Sequence, residues 1–242
     1  MADPIIKIKR SAVAGKKPTT GNINLGELAL NTTDGELYTR RERSGIATDI
    51  ISLGAGSTVS NVLYVTEDGN DDNTGKKLGD AKATIKSAVA SASAGTVIKI
   101  SAGTYTEDNP IVLPAQVSIV GDNLREVSVT PSNADDLFHV TNGNYITELS
   151  FVGSANTGAM IAFNPAGAGN ITQSPYVQNC TNFIQNSTGM RINGAHATGN
   201  LKSMVVDSYT QYNQGGIGIS ITNEGYAQLV SVFTICNDVA IY

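Results

Sequence analysis

The 242-residue chain has no tryptophan, two cysteines and two histidines, and Asp, Glu, Lys and Arg together make up only 15% of it. Cys180 and Cys236 stand alone, without a CxxC pair or a histidine partner, which argues against a zinc site and a disulfide framework; both are expected as buried free thiols. His139 and His196 are lone histidines and are expected to be structural. No run approaches the ~18 consecutive apolar residues of a membrane helix, so no membrane insertion is expected. The N-terminus carries Asp3 and lacks a signal-peptide apolar core, so synthesis in a cytoplasm without export by that route is expected. The N-x-Ser/Thr triplets at Asn31, Asn170, Asn179 and Asn186 are then chance products of composition. There is neither a phosphate-cradling Gly-Lys-Ser/Thr loop nor a dinucleotide fingerprint, and no cofactor is expected.

What is present is 25 glycines, a pI near 5.0 and an uneven charge. Residues 1–54 hold eight Lys/Arg against six Asp/Glu, whereas residues 55–242 hold eight against fifteen. The basic residues at the front are dispersed and only Tyr38 could stack a base, so nucleic acid is not an expected partner. In the stretch from Leu25 to Arg40, Leu28 and Leu30 alternate with Glu27, Ala29 and Asn31, and Leu37 alternates with Glu36 and Tyr38. That is the period of half-buried strands. Asp34-Gly35 between them is a hairpin signal, because Gly accepts the positive φ of a tight connection. About fifty residues with so few large apolar side chains build a meagre core, a regime in which oligomerisation supplies burial. An intertwined homo-oligomer is expected; the plain alternative is a hairpin-containing domain of no fixed role.

These residues resemble the small N-terminal domain of many phage tail fibres and of the phage tropism-determinant family. The resemblance rests on Ile6-Lys7-Ile8-Lys9-Arg10, the Gly15 to Thr20 loop with Pro18, the stretch Leu25-Gly26-Glu27-Leu28-Ala29-Leu30-Asn31 with Asp34-Gly35-Glu36-Leu37-Tyr38, and the closing Ile50 to Gly54. It implies a virion-attachment segment in which Lys7, Lys9, Arg10, Leu25, Gly26, Glu27, Leu28, Leu30, Asp34, Gly35, Leu37 and Tyr38 take part. It also implies a location on the virion tail after assembly in the host cytoplasm, with other tail or baseplate proteins as partners.

Residues 55–61 are small and polar, the composition of a linker, which sets domains at 1–54 and 62–242. Beyond it, Asp80 is a plausible N-cap for a helix over about 80–94, with Ile85, Val89 and Ala92 on one stripe and Gly95 at its end. Short β-rich bursts follow, from Val97-Ile98-Lys99-Ile100 to Ala227–Phe233, separated by Asn, Gly, Ser and Thr. Irregular recurrence of strand and turn without helical periods is the signature of a solenoid. The passage over 62–121 is similar to the first coils of the pectate-lyase-like right-handed parallel β-helix, in which a helix plugs the front. The expected fold class is therefore mainly β: a small β-hairpin N-terminal domain plus a right-handed single-stranded parallel β-helix with an N-terminal capping helix. An antiparallel sandwich is the rival. Residues 234–242 still read as a strand, so either another subunit covers that end or the chain continues in a longer protein.

β-Helices of phage tails are often polysaccharide depolymerases, whose chemistry needs paired carboxylates or an acid-held cation with a base. The best cluster is Asp122, Arg125, Glu126, Asp135, Asp136 and His139, read mainly as turn-solvating groups. Missing tryptophan deprives a sugar cleft of its flat surface. Asp68, Asn70 and Asp72 have the first spacings of a calcium loop, but Asn73 replaces its glycine and Gly79 its glutamate, so no metal is expected. The reading is a structural tail component, fibre, tailspike or baseplate-associated, forming a homotrimer and presenting its body for adhesion. Host surface polysaccharide is a possible partner, and a depolymerase is the alternative.

Overall fold

The computed structural model describes residues 8–43, 46–53 and 61–242. Lys7 and residues 55–60 of the linker lie outside them. Contacts divide the chain into two units, residues 1–60 and 61–242.

The first unit is a four-stranded sheet in the order β1 (Lys9–Ser11), β2 (Leu28–Asn31), β3 (Glu36–Arg43) and β4 (Ile46–Ser52). β1 runs parallel to β2, while β2–β3 and β3–β4 are antiparallel. The turn between β2 and β3 contains Gly35 at φ +68°, the left-handed geometry its Asp-Gly signal demands. The buried face is the reverse of what the leucine alternation suggests. Ala29, Asn31 and Tyr38 are buried, whereas Leu28, Leu30 and Leu37 are half-buried on the opposite face. The cause is a loop over residues 12–27, which folds across the Ala29–Tyr38 side and buries Ile23 against it.

The second unit is a parallel β-solenoid with very little helix. One ladder joins Val62–Val65, Val97–Ile100, Ser118–Gly121, Tyr145–Phe151, Tyr176–Asn182, Ser203–Tyr212 and Tyr226–Val230. Another joins Ile111–Val112, Phe138–Val140, Ala159–Phe163, Thr188–Asn193, Ile217–Thr222 and Val239–Ile241. All of these pairings are parallel, which rules out the antiparallel sandwich. Inward residues stack coil on coil: Ile98, Ile119, Ile146, Val177 and Val206 form one column, and Phe138, Ile161, Met190 and Ile219 another.

Within the first ladder the long strands bend at a single residue in left-handed conformation: Glu148 (φ 60°), Asn179 (φ 47°) and Ser208 (φ 52°), followed by Ser231 (φ 50°) in the next coil. Adjacent corners are tied, since Asn179 Nδ2 donates to Glu148 Oε1 at 2.7 Å and Leu124 N donates to Glu148 Oε2 at 3.0 Å. The strand Tyr176–Asn182 is absent from the sequence reading because its Gln and Asn residues read as turn. Inside the solenoid Asn182 is fully buried, and its amide donates to Ser187 Oγ at 2.8 Å and Gln211 Oε1 at 3.0 Å. An amide bonded within its own coil and to the next meets the requirement on a buried polar group.

The helix is shorter than expected, Ile85–Ala90 rather than 80–94. Asp80 ends a 3-10 turn over Leu78–Asp80 and accepts a bond from the Thr74 hydroxyl, so it is not the cap. Asp71 holds the chain extended instead, accepting from Ala83 N, Thr84 N and the Thr84 hydroxyl at 2.8–3.0 Å. Thr84 is the N-cap and accepts from Ser87 N at 3.1 Å. Buried Glu107 accepts from Ile85 N and Lys86 N, satisfying two further donors of the first turn. Ile85 and Val89 are buried as their spacing predicts, and Gly95 serves a turn, its N–H donating to Gln116 O. At the other extreme, the core-facing Ala227, Leu229 and Val232 of the last coil are only partly buried.

Candidate functional site

Asn31 and Asp34 build the main concavity of the first unit. The Asn31 amide donates to Val13 O at 2.9 Å, Lys16 O at 3.1 Å and Asp34 Oδ2 at 2.6 Å, while its Oδ1 accepts from Thr33 N and Asp34 N. Asp34 Oδ2 also accepts from Gly15 N at 2.7 Å. The loop is thereby clamped over the sheet, leaving a groove of about 400 Å³ whose lining includes Ile23, Ala29 and Tyr38 as well as Lys9, Arg10, Lys16 and Lys17. Lys9 is neutralised by Glu27 at 3.0 Å and also donates to Asn22 O. The Asn24 amide and Lys9 hold the Glu27 carboxyl below its usual range. Tyr38 donates to Glu36, and that bond, with burial and the nearby charges of Glu36 and Asp34, pushes its pKa up to about 12. Tyr38 is thus a neutral, enclosed ring that offers no stacking surface.

Of the candidate segment, Lys9 and Tyr38 line this groove, Arg10 and Leu30 border it from a register pair whose side chains take the opposite face, Glu27 and Asp34 hold its frame, and Gly26 and Gly35 turn the chain at φ +75° and +68°. Leu25 is exposed, and Leu28 and Leu37 lie on the other side of the sheet. Asn31 carries more bonds than any of these and is missing from the sequence-derived set. Its signal is an Asn three residues before an Asp at a turn, where such side chains bond nearby backbone.

The second site lies on the solenoid, where the six-residue charged cluster comes apart. Asp122 pairs with Lys99 at 3.5 Å, Arg125 lies 5.7 Å from the Phe183 ring centroid, and Glu126 is exposed. Asp136 and His139 stay together and are joined by Arg191, which comes from two coils further on. Asp136 Oδ1 accepts from Arg191 Nη1 at 2.5 Å and Ala159 N at 2.8 Å, and Oδ2 lies 3.3 Å from His139 Nε2. The register runs His139–Ala162–Arg191 on one outward column, and the small Ala162 leaves room for Arg191 to reach back. With Asp135, Pro110 and Pro165 these groups line a cleft of about 370 Å³. Burial pushes the Asp136 carboxyl up, but His139, the Ala159 amide and Arg191 outweigh it, and its pKa lies below the usual value. An acid held ionised cannot protonate a leaving group at neutral pH. Asp135 lines the same cleft, but among the described residues no carboxylate is hydrogen-bonded to Asp136.

Stacking also assembles aromatic pairs that the sequence keeps apart. Tyr145 and Tyr176 have centroids 5.8 Å apart, with Tyr176 donating to Asp207 at 3.0 Å, and Phe183 meets Tyr212 edge-on at 6.2 Å. Cys180 is buried as expected, and burial pushes its thiol up to about 12; Cys236, by contrast, is exposed. His196 bonds Asn193 at 3.2 Å. In the acidic loop Asp71 is spent on capping, and among the described residues no group of acids, histidines or cysteines is arranged to hold a metal ion. No helix among those residues is long and apolar enough to cross a membrane.

Residues 67–238 match the family described as a protein of unknown function, DUF1565, and the chain belongs to that family. No curated protein matches it. A solved structure from Geobacillus virus E2, ORF18, superimposes with a TM-score of 0.44 at 11% identity, over 88% of this chain and 52% of that one. The chain thus spans about half the length of that viral protein.

Proposed function

We propose that the protein is a structural component of a bacteriophage tail. Residues 1–54 attach it to the virion, and the β-solenoid serves as a shaft or host-facing body, assembled as a homotrimer. The observation that carries this reading is the first unit. A clamped sheet bears the tail-fibre-like motif on a frame of its own, and its Leu28, Leu30 and Leu37 are only half-buried, on the face opposite Ala29 and Tyr38. Leucines on one face of a small sheet supply the burial an oligomer needs. The solenoid adds a rigid, laterally polar body suited to a mechanical role. Deleting residues 1–54 should abolish incorporation into particles while the solenoid still folds. Normal incorporation of the deletion variant would refute the attachment role.

A depolymerase has one observation on its side, the cleft around Asp136, His139 and Arg191. Incubation with host polysaccharide, followed by assay for new reducing ends or unsaturated sugars, tests it directly. Activity lost on Asp136→Asn would transfer the assignment to the enzyme. Asp136, held ionised by His139, the Ala159 amide and Arg191, is a poor general acid, which favours adhesion over catalysis.

A further inference from the structure

We propose that the cationic groove of the first unit binds an acidic, extended peptide segment of another protein, laid along the free edge of β1. This deepens the attachment reading and rests on it. Three observations point to that ligand. First, Lys9 is matched by Glu27, and Arg10, in register with Leu30, takes the opposite face; among the described residues Lys16 and Lys17 make no ion pair, so two uncompensated cations rim the groove. Second, among the described residues β1 is the edge of its sheet, and an edge strand offers backbone donors and acceptors to an added strand. Third, the floor is closed by the buried Ile23 and Ala29, an apolar base beneath the cationic rim.

Edge cations also select among partners. Lys and Arg on an edge strand repel a second copy of the same edge, and they favour an incoming strand that carries carboxylates. A nucleic acid fits less well, because Tyr38 is enclosed and bonded to Glu36, leaving no ring on which a base can stack.

The experiment uses the full chain and a fluorescein-labelled decapeptide of alternating Asp and Thr, read by fluorescence anisotropy. The comparison ligands are the Asn-Thr analogue, an oligothymidine of equal length and phosphatidylglycerol vesicles. The acidic peptide should bind saturably, at least about tenfold more tightly than the neutral one, and lose affinity as salt screens the rim. The double substitution Lys16→Glu, Lys17→Glu should weaken it by about tenfold or more. Of these two side chains neither makes a hydrogen bond among the described residues; Asn31 holds only the Lys16 carbonyl, so the variant keeps the clamp. An unchanged thermal transition verifies that. Absence of saturable binding, equal affinity for the neutral peptide, tighter binding of oligothymidine or vesicles, or an unaffected charge-reversal variant would each overturn the proposal. Should the 1–54 deletion block incorporation into particles while the charge-reversal variant incorporates normally and binds no peptide, attachment stands and the groove assignment falls.

Discussion

Asn31 shows how much a single side chain organises in the first unit. It is 1% exposed, and its amide and carbonyl reach three acceptors and two backbone donors across the loop and the turn. Removing such a group leaves buried partners unsatisfied, at a cost of about 1–3 kcal/mol. Asn31→Ala is expected to destabilise the unit by that amount and to free the 12–18 loop. Faster amide exchange at Thr33 and Asp34, with early proteolysis in the loop, would register the change. Asp136 offers a test by pH. Its folded pKa lies below the ordinary 3.8, so its contribution is present above that value and is lost as pH falls through the folded pKa. Asp136→Asn should therefore flatten the acid limb of the stability profile. At neutral pH it should cost about 1–3 kcal/mol, less than a fully buried pair because Arg191 remains one-third exposed. Urea titrations of both proteins across acid and neutral pH decide this.

At the scale of elements, the bursts of β-branched residues from Val97 to Val232 were legible as strands, because period-two alternation survives without any knowledge of partners. Pairing was not. Tyr145 meets Tyr176, and Asp136 meets Arg191, only because each coil brings residues distant in sequence into register, and the coil lengths are irregular. The polar strand Tyr176–Asn182 escaped for a related reason: Asn182 is a core residue only once Gln211 lies beside it. The helix start moved from Asp80 to Thr84 because Asp71, thirteen residues earlier in the chain, spends its carboxylate on that Thr. Coil contact sets a further requirement at Gly121, where a Cβ would stand 2.1 Å from the Glu148 carbonyl oxygen of the next coil. Backbone cannot yield there as a flexible side chain would. Gly121→Ala should cost about 1–3 kcal/mol, with the loss visible as a lower thermal midpoint of the solenoid.

For the whole molecule, the charge division and the face division act together. The acidic solenoid and the slightly basic first unit carry different surfaces, and the half-buried leucines of β2 and β3 sit opposite the side on which the loop is clamped. Leu30 and Leu37 are direct cross-strand partners on that face, so a neighbouring copy that covers one covers both. Because the leucines are already half-buried, covering the rest of each is worth only part of the ~1.5–3 kcal/mol that full burial of an exposed leucine brings. Copies sharing such faces would gain burial that the small core of each lacks, which is the physical basis of the homotrimer we propose. Leu30→Glu with Leu37→Glu places two like charges in that seam and leaves the Asn31 clamp on the other face untouched. Sedimentation should then move from a trimer to a monomer while the solenoid's far-ultraviolet circular dichroism is unchanged. A wild-type chain that sediments as a stable monomer removes the trimer, and a double variant that stays trimeric moves the seam to the solenoid.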